Sequence, residues 1–266
     1  MAPQHIGVIG AGAAGLAAIK QCRDAGFNVT CYEKTDNLGG LWRYRPEDKD
    51  GVGSVMRSTI INSSKEVSAF SDFPPSAHLP NYMHNTKMVE YFDHYAHEFK
   101  LLPFIKYHRE VINVKRADDY DDTGRWQITT RDTVDHSVET VTFDGVLVCT
   151  GHHVYPSWPS FKGQELFEGK ILHSHSYKTP TGFENDRVVV LGIGNSAGDI
   201  AVELSQTGQQ VYLSTRRGTW IWNRVGLNGR PLDTYMLTRI SNKIRDITPY
   251  NVQCWLAETL VSCLQM

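Results

Sequence analysis

The pattern of apolar and polar positions near the N-terminus predicts a strand, a glycine-rich turn, a helix and a second strand. A β-branched apolar run at residues 5–9 precedes GAGAAG at residues 10–15. Helix-forming residues follow as far as Gly26, and the next apolar run covers residues 28–33. Two strands joined through a helix lie side by side and parallel, so this segment indicates a βαβ unit in a parallel sheet.

The same order of patterns returns in the second half of the chain. An apolar run at residues 187–192 leads into the glycine-rich turn GIGNSA at residues 192–197. A helical pattern and another apolar run, at residues 210–215, follow the turn. The sequence therefore predicts two βαβ units in one chain.

The residues between these units have other patterns. Glycine and proline are frequent in residues 34–82, which predicts long loops. Apolar residues at spacings of three and four predict a helix over residues 86–99, with Thr86 as its N-cap. Three alternating runs predict antiparallel strands, at residues 111–115, 126–131 and 138–143. Residues 118–124 predict a polar turn, and residues 145–151 predict a buried strand that ends in a tight turn.

Composition and charge narrow the function. The 266 residues are 41% hydrophobic and carry a net charge of −2, which is typical of a globular protein and argues against a nucleic-acid partner. None of the five cysteines forms a CxxC pair, so a zinc ribbon and a disulfide reductase are both disfavoured. Pairs of histidines at 94 and 97 and at 173 and 175 lack further ligands, and we expect no metal site.

The first glycine-rich turn has the spacing of a dinucleotide-binding motif. In that motif the first glycine allows a tight turn, the second lets a pyrophosphate approach, and the third lets helix and strand pack closely. The helix N-terminus meets the anion, and Glu33 stands where a carboxylate accepts hydrogen bonds from ribose hydroxyls. A turn without a nucleotide is the alternative interpretation. The predicted cofactor-binding residues are Gly10, Gly12, Ala13, Ala14, Gly15 and Glu33.

The second glycine-rich turn lacks the carboxylate. Thr215 stands at the position that corresponds to Glu33, and Arg216 and Arg217 follow it. A carboxylate would repel a 2′-phosphate, whereas guanidinium groups bind it, so we predict NADP(H) here. An exposed basic pair is the alternative interpretation. The predicted cofactor-binding residues are Gly192, Gly194, Asn195, Ser196, Thr215, Arg216 and Arg217.

Two nucleotide sites in one chain indicate a flavin beside the nicotinamide cofactor, and we expect FAD at the first site. The Gly39–Gly40 pair lets a loop pass close to a bulky ligand, and Trp42 provides a flat wall. A flexible turn is the alternative interpretation of the pair. The further flavin-binding residues predicted are Gly40, Leu41, Trp42 and Thr150.

With these motifs the chain resembles the flavin-containing monooxygenase family of the dimethylaniline N-oxide-forming type. Residues 167–177, FEGKILHSHSY, fit the family signature FxGxxxHxxxY. The similarity covers residues 5 to 228 approximately, and STRRG with NRVG is most similar to the form-five branch. Where Tyr177 stands, the Baeyer–Villiger subfamily usually has tryptophan. Ketone oxygenation is reported for the form-five branch, so Tyr177 does not exclude it.

The resemblance implies an α/β fold with two Rossmann-like domains, for FAD at residues 1–155 and for NADP at residues 156–266. Both domains are expected to be incomplete at their C-termini, because family members are considerably longer. The implied reaction uses NADPH, FAD and O2 to oxygenate small soft nucleophiles (amines, sulfides and, in the form-five branch, ketones) through a C4a-hydroperoxyflavin. Family members act in xenobiotic metabolism.

Three further expectations concern single residues and location. The resemblance implies a catalytic role for Asn62, whose amide would hydrogen-bond the peroxide or the nicotinamide carboxamide; capping of a loop is the alternative. For His173 we prefer a structural role that links the domains. Full-length family members associate with the endoplasmic reticulum membrane, but their apolar tail is absent here, and the short chain by itself is expected in the cytosol.

Two other functions fit the same residues. The chain could be a catalytically inactive, truncated fragment that binds FAD and NADP. It could also be an uncoupled NADPH oxidase that releases H2O2, because a flavin peroxide that is not protected from water decays before it meets a substrate.

Overall fold

The computed structural model describes residues 3–264, which form two compact units. The first unit contains the chain as far as Ser58 together with Asn85–Thr179. The second contains Thr59–His84 together with the chain from Pro180 onward. Each unit is therefore built from two separate stretches of sequence.

Nine strands and eight helices occur in the described part of the chain. The strands are β1 (His5–Ile9), β2 (Asn28–Tyr32), β3 (Ile105–Lys106), β4 (Arg109–Arg116), β5 (Trp126–Asp132), β6 (Val138–Phe143), β7 (Gly145–Val148), β8 (Arg187–Leu191) and β9 (Gln210–Ser214). The helices are α1 (Ala13–Asp24), α2 (Lys65–Ser68), α3 (Asn85–Glu98), α4 (Tyr120–Thr123), α5 (Asn195–Leu204), α6 (Asp233–Met236), α7 (Arg239–Ile247) and α8 (Tyr250–Leu264).

A four-stranded parallel sheet forms the centre of the first unit. Its strand order is β3-β2-β1-β7, and α1 connects β1 to β2, so the predicted βαβ unit is confirmed. The predicted antiparallel sheet of β4, β5 and β6 is confirmed as well. Side chains of both sheets share one apolar cluster, formed by Ile9, Tyr32, Ile128 and Phe143. This cluster fixes the strands whose ends carry the first glycine-rich turn.

The predicted helix after the loop region is α3, and it begins one residue earlier than expected. Thr86 lies inside its first turn, so the prediction of Thr86 as the N-cap is wrong. The reason is Asn85, which is buried and whose amide donates hydrogen bonds to the carbonyls of Met56, at 2.9 Å, and Arg57, at 3.2 Å. These bonds hold Asn85 against the preceding loop, where it starts the helix.

Two other local predictions need correction. The polar segment at residues 118–124 contains α4, a single helical turn that ends at Gly124 with a φ of 71°. The strand β7 was predicted to be buried, but the side chains of Leu147 and Val148 are 38% and 69% exposed. Within the described chain β7 pairs only with β1 and forms an edge of the sheet. Burial of a strand depends on its neighbours, which its own sequence does not specify.

The second unit contains the second predicted βαβ arrangement. Strands β8 and β9 pair in parallel, and α5 connects them and buries Ile200 and Leu204. Helices α6, α7 and α8 follow along the chain. Within residues 3–264 no helix has the length and apolar content needed to cross a bilayer.

Candidate dinucleotide-binding sites

The first glycine-rich turn has no room for side chains at two of its positions. Gly10 has a φ of +99°, and a Cβ there would lie 2.6 Å from the carbonyl oxygen of Cys149. A Cβ at Gly15 would overlap with the carbonyl oxygen of Gly10. The turn therefore needs glycine to bring the start of α1 close to the ends of β1 and β7.

The N-terminus of α1 meets the loop that carries the glycine pair. Gly12 is the N-cap of α1, and a Cβ there would lie 3.7 Å from Cα of Gly40. The amide of Gly39 donates to the carbonyl of Ala11 at 3.0 Å. Ala13 and Ala14 are the first residues of α1, whose cap carries no side-chain hydrogen bond in this structure. Amide groups of a helix N-terminus that lack such a cap are suited to an anion.

Glu33 lies beside this turn, as predicted, and is almost fully buried. Its Oε2 accepts a hydrogen bond from the amide of Ala11 at 2.9 Å. Its Oε1 accepts from the amide and the hydroxyl of Thr35, at 2.9 and 2.7 Å. A carboxylate has about four acceptor positions, so one is left for a ribose hydroxyl. Glu33 thus also ties β2 to the glycine turn, a role that the sequence did not indicate.

Arg45 is a residue of this site that the sequence analysis missed. Its Nη1 donates to the carbonyls of Gly40, at 3.5 Å, and Arg43, at 3.1 Å, whereas its buried Nη2 has no partner among the described residues. Burial lowers the pKa of Arg45, and the nearby carboxylates of Glu33 and Asp36 oppose this effect. The side chain lines an open cavity of about 490 Å³, together with Asp36, Asn37, Arg43, Tyr44, Lys49 and His108. A buried N–H without a partner fits an anionic ligand, and only the position of Arg45 shortly after GGLW could have suggested it.

The remaining predicted flavin-site residues lie on two loops of the same unit. Leu41 and Trp42 belong to the helical turn Gly40–Trp42 and are half-buried. Thr150 follows β7 and is exposed, and its Cα would lie 3.7 Å from a Cβ at Gly10. The structure therefore brings the glycine turn, Glu33, Gly40 and Thr150 together, and these residues fit a dinucleotide.

The second glycine-rich turn has the same backbone course but is open. Gly192 has a φ of +115°, and its amide donates to the carbonyl of Ser214 at 2.9 Å. Gly194 is the N-cap of α5, which begins with Asn195 and Ser196. Apart from the adjacent residues in the chain, no described atom lies within 4 Å of a Cβ at either glycine. The turn thus leaves space above the N-terminus of α5.

Thr215, Arg216 and Arg217 follow β9 at the edge of the sheet where this turn follows β8. The hydroxyl of Thr215 accepts a hydrogen bond from the amide of Gly218 at 2.8 Å. All three residues are exposed. Ligands of open parallel sheets bind outside the carboxyl ends of the strands, which is where the structure places these residues.

Asn62 and His173 lie apart from both glycine turns in the chain. Asn62 belongs to the second unit and is exposed in the turn before α2. Nδ1 of His173 accepts a hydrogen bond from the amide of His175 at 3.1 Å, and the His173 ring lies 5.4 Å from that of Trp158. Among residues 3–264 no group of three or more ligand-type side chains is arranged to hold a metal ion.

Comparison with protein families gives one match that covers almost the whole chain. The family model described as "Flavin-binding monooxygenase-like" matches residues 3–263. The expectation that the similarity fades after residue 228 is therefore wrong, because the match includes α7.

Curated relatives match the chain with high identity. Flavin-containing monooxygenase 5 of Rattus norvegicus is 49% identical over 249 residues, which are 93% of this chain and 46% of that protein. Dimethylaniline monooxygenase (N-oxide-forming) 2 of Oryctolagus cuniculus is 44% identical over 257 residues, which are 96% of this chain and 48% of that protein. The chain spans about half the length of these relatives. The identities confirm the predicted resemblance to form five.

Solved structures show the same architecture. S-allyl-L-cysteine S-oxygenase from Allium sativum matches with a TM-score of 0.75 and 26% identity, over 85% of this chain and 54% of that one. Tmm from Pelagibacter sp. matches with a TM-score of 0.70 and 27% identity, over 80% and 51%. These similarities confirm the predicted α/β fold with Rossmann-like dinucleotide-binding architecture.

Proposed function

The chain belongs to the flavin-binding monooxygenase-like family, and we propose on that basis that it binds FAD at the first glycine turn and NADP(H) at the second. The observation that carries this proposal is the first turn itself. Gly10 and Gly15 leave no room for side chains, and Glu33 is held beside them by the amide of Ala11. These are the features by which a strand–turn–helix unit receives a pyrophosphate and a ribose.

The reaction proposed is NADPH- and O2-dependent oxygenation of a small soft nucleophile. A flavin held at the first glycine turn would supply the redox chemistry, hydride acceptance and oxygen transfer. The residues of the chain bind and orient the two cofactors, and the turn at Asn62 supplies an exposed amide for this reaction. Two relatives are named for N-oxide formation and for S-oxygenation, which favours tertiary amines and sulfides as substrates.

The preference for NADP(H) over NAD(H) is assigned to Arg216 and Arg217. Both side chains are exposed at the carboxyl end of β9, and Thr215 stands where a carboxylate would exclude a 2′-phosphate. A charge-assisted pair between guanidinium and phosphate is strong and specific. We accordingly assign residues 1–155 to flavin binding and residues 156–266 to NADP binding. For His173 we propose a structural role that links the two domains.

We also propose that the protein works at the endoplasmic reticulum membrane, in the oxidation of foreign compounds. Three exposed isoleucines of α7 lie about one helical turn apart and form an apolar stripe: Ile240, Ile244 and Ile247. The basic residues of the same helix are Arg239, Lys243 and Arg245. A helix of this type lies in the surface of an anionic membrane.

Co-sedimentation with phosphatidylserine vesicles tests this membrane proposal. Ile244→Ser is expected to weaken binding, and Ile171→Ser, at a similarly exposed position, is the control. Absence of vesicle binding would favour a cytosolic chain.

The experiment that tests the enzymatic proposal uses the purified 266-residue chain. FAD is added, unbound FAD is removed, and the visible spectrum is recorded before and after NADPH is added in air. The proposal expects a flavin spectrum that bleaches and recovers, with substrate-dependent NADPH use and oxygen from O2 in the product. NADPH use matched by H2O2 would instead identify an uncoupled oxidase. Failure to retain FAD would identify an inactive fragment.

A further inference from the structure

The turn that carries Asn62 is attached on both sides to a neighbouring segment of the same unit. The amide of Ile61 donates to the carbonyl of Met83 at 3.0 Å. The amide of Lys65 donates to the carbonyl of Asn81 at 2.7 Å. Asn62 itself is exposed between these two attachment points. The backbone therefore presents the Asn62 side chain from a short turn whose two ends are fixed.

A carboxylate from a distant part of the sequence holds the end of this turn. Oδ2 of Asp233, the first residue of α6, accepts a hydrogen bond from the amide of Ser64 at 2.5 Å. Ser64 is fully buried and is the N-cap of α2, so its amide has no partner within the helix. Oδ1 of Asp233 is buried without a partner among the described residues. The bond to the Ser64 amide is charge-assisted and therefore stronger than a neutral one.

A buried lysine holds the same turn through its side chain. Lys65 is 7% exposed, and its Nζ donates to three carbonyl oxygens, those of Ser76 at 3.2 Å, Ala77 at 3.0 Å and Leu79 at 2.7 Å. An ammonium group has three donors, so these bonds satisfy it completely. A buried charge is tolerated only with such compensation. Lys65 thus fastens the start of α2 to the loop at residues 76–79.

We propose that Asp233 and Lys65 are positioning residues for Asn62, and that together they hold the backbone of the turn that presents its amide. This rests on the proposed function only in the role assigned to Asn62. The two anchors fix Ser64 and Lys65, two and three residues after Asn62, so the backbone that presents the amide is already held when a ligand arrives. Supporting bonds of this kind determine how well a functional side chain is placed.

The first test measures the anchors without any cofactor. Amide hydrogen exchange of residues 61–67 is compared between the unaltered chain, Asp233→Asn and Lys65→Met. Loss of a charge-assisted bond is expected to speed exchange in this segment by about tenfold. Asp246→Asn, which removes an exposed carboxylate from α7, is the matched control and should leave exchange unchanged. Unchanged exchange in both anchor variants would overturn the proposal.

The second test asks whether the anchors act through Asn62. In the FAD-loaded full chain, the H2O2 released per NADPH consumed is measured for Asn62→Ala, Asp233→Asn and the double variant, at equal FAD content. Asp233→Asn is expected to raise this ratio several-fold, and the double variant is expected to equal Asn62→Ala alone. Additive effects would show that Asp233 acts elsewhere and would overturn the proposal.

The two tests separate this inference from the proposed function. A chain that consumes no NADPH in any variant contradicts the proposed function. The hydrogen-exchange result then decides by itself whether Asp233 and Lys65 hold the turn. If Lys65 had only a general structural role, Lys65→Met would lower FAD content or thermal stability and would also raise the H2O2 released per NADPH consumed. A positioning role changes the peroxide ratio at unchanged FAD content, and Lys65→Met provides this comparison independently of Asp233.

Discussion

At the scale of single residues, Gly15 in α1 and Gly198 in α5 differ in which atoms an added methyl group would contact. A Cβ at Gly15 would overlap with the carbonyl oxygen of Gly10, whereas no described atom outside the helix lies within 4 Å of a Cβ at Gly198 in α5. Gly15→Ala is therefore expected to destabilise the chain by several kcal/mol and to abolish FAD retention, because the turn must open. Gly198→Ala is expected to stabilise it by about 0.5–1 kcal/mol, since glycine is a poor helix former.

Urea unfolding of the two variants, with FAD retention measured in parallel, checks this pair. Gly198→Ala serves as the control, since it adds the same methyl group to a helix of the other unit. Equal unfolding free energies for the two alanine variants would contradict the close packing at Gly15.

Tyr32 is a second residue whose environment leads to a measurable effect. Its hydroxyl is buried without a partner in the described chain, and burial, with a further contribution from the charge of Glu139, raises its pKa to about 12. Tyr32→Phe is thus expected to be neutral or stabilising at pH 7, by up to about 1 kcal/mol. The substitution should also change how the free energy of unfolding depends on pH in alkaline solution.

A raised pKa means that the folded state binds the phenolic proton more tightly than the unfolded state. The corresponding stability is present below about pH 10 and is lost as the pH rises toward about 12. Unfolding free energies measured from pH 7 to pH 11.5 should fall less steeply for Tyr32→Phe than for the unaltered chain. Parallel curves would show that Tyr32 titrates normally.

The residues of the first site were predictable to different degrees. Glu33 was predicted because its place at the end of a strand follows from local pattern. Its bonds to Ala11 and Thr35 were not, because they depend on how the turn closes over β2. Arg45 was missed for the same reason, since an arginine in a loop looks like any exposed charge until the loop folds back on Gly40.

At the scale of elements, the strand β8 carries an unpaired edge and an exposed apolar face in the described part of the chain. Val189 is 58% and Leu191 is 56% exposed. Exposed apolar edge strands promote association between chains, and a charge on the strand opposes it. Val189→Lys is expected to lower concentration-dependent association, as measured by light scattering or sedimentation, with little change in unfolding free energy.

The matched control for this prediction is Val202→Lys. Val202 is 64% exposed on α5, so the variant adds the same charge at a similarly exposed valine outside the sheet. If both variants reduce association equally, net charge is the cause and the edge of β8 is not involved.

The strands β1 and β9 were predicted within one residue of their bounds, and α1 was predicted as a helix that begins three residues too late. Short elements were not predicted: β3 has two residues and α6 has four, which is too few for a pattern to show. Their positions depend on pairing with β2 and on the bond between Asp233 and Ser64. Both contacts join parts of the chain that are far apart in sequence.

At the scale of the whole molecule, the two units should respond to different ligands. Binding to the folded state alone stabilises by about 2.7 kcal/mol when the ligand is at about 100 times its Kd. Added FAD is therefore expected to protect the amides of the first unit, the chain as far as Ser58 together with Asn85–Thr179, and NADP+ those beyond Pro180. Hydrogen exchange with each ligand separately measures this.

Arg216→Ala is the variant that separates the two responses. It should remove most of the protection by NADP+ and retain that by FAD, because the side chain lies after β9 in the second unit. NADP+ protection that is confined to the first unit, or that survives in Arg216→Ala, would contradict the assignment of the second turn.

The association of distant segments was the least predictable feature of the chain. Residues 59–84 were predicted to be loops, and the structure groups them with the chain beyond Pro180. The contacts responsible are individual ones, such as the hydroxyl of Tyr82 with the carbonyl of Arg224. No local sequence pattern predicts such a long-range contact, whereas the two glycine motifs can be recognised from the local sequence alone.

The pairing of β1 with β7 has a consequence for folding during synthesis on the ribosome. Ile6 lies in register with Gly145 in this parallel pair, although the two are separated by most of the first unit's sequence. A ribosome that adds about 5–20 residues per second needs roughly 7–28 s to make the chain between them. During that interval the nascent N-terminal strand has only β2 as a nearby partner. We expect a chaperone to be of most use to this protein in that window, before residue 148 has emerged.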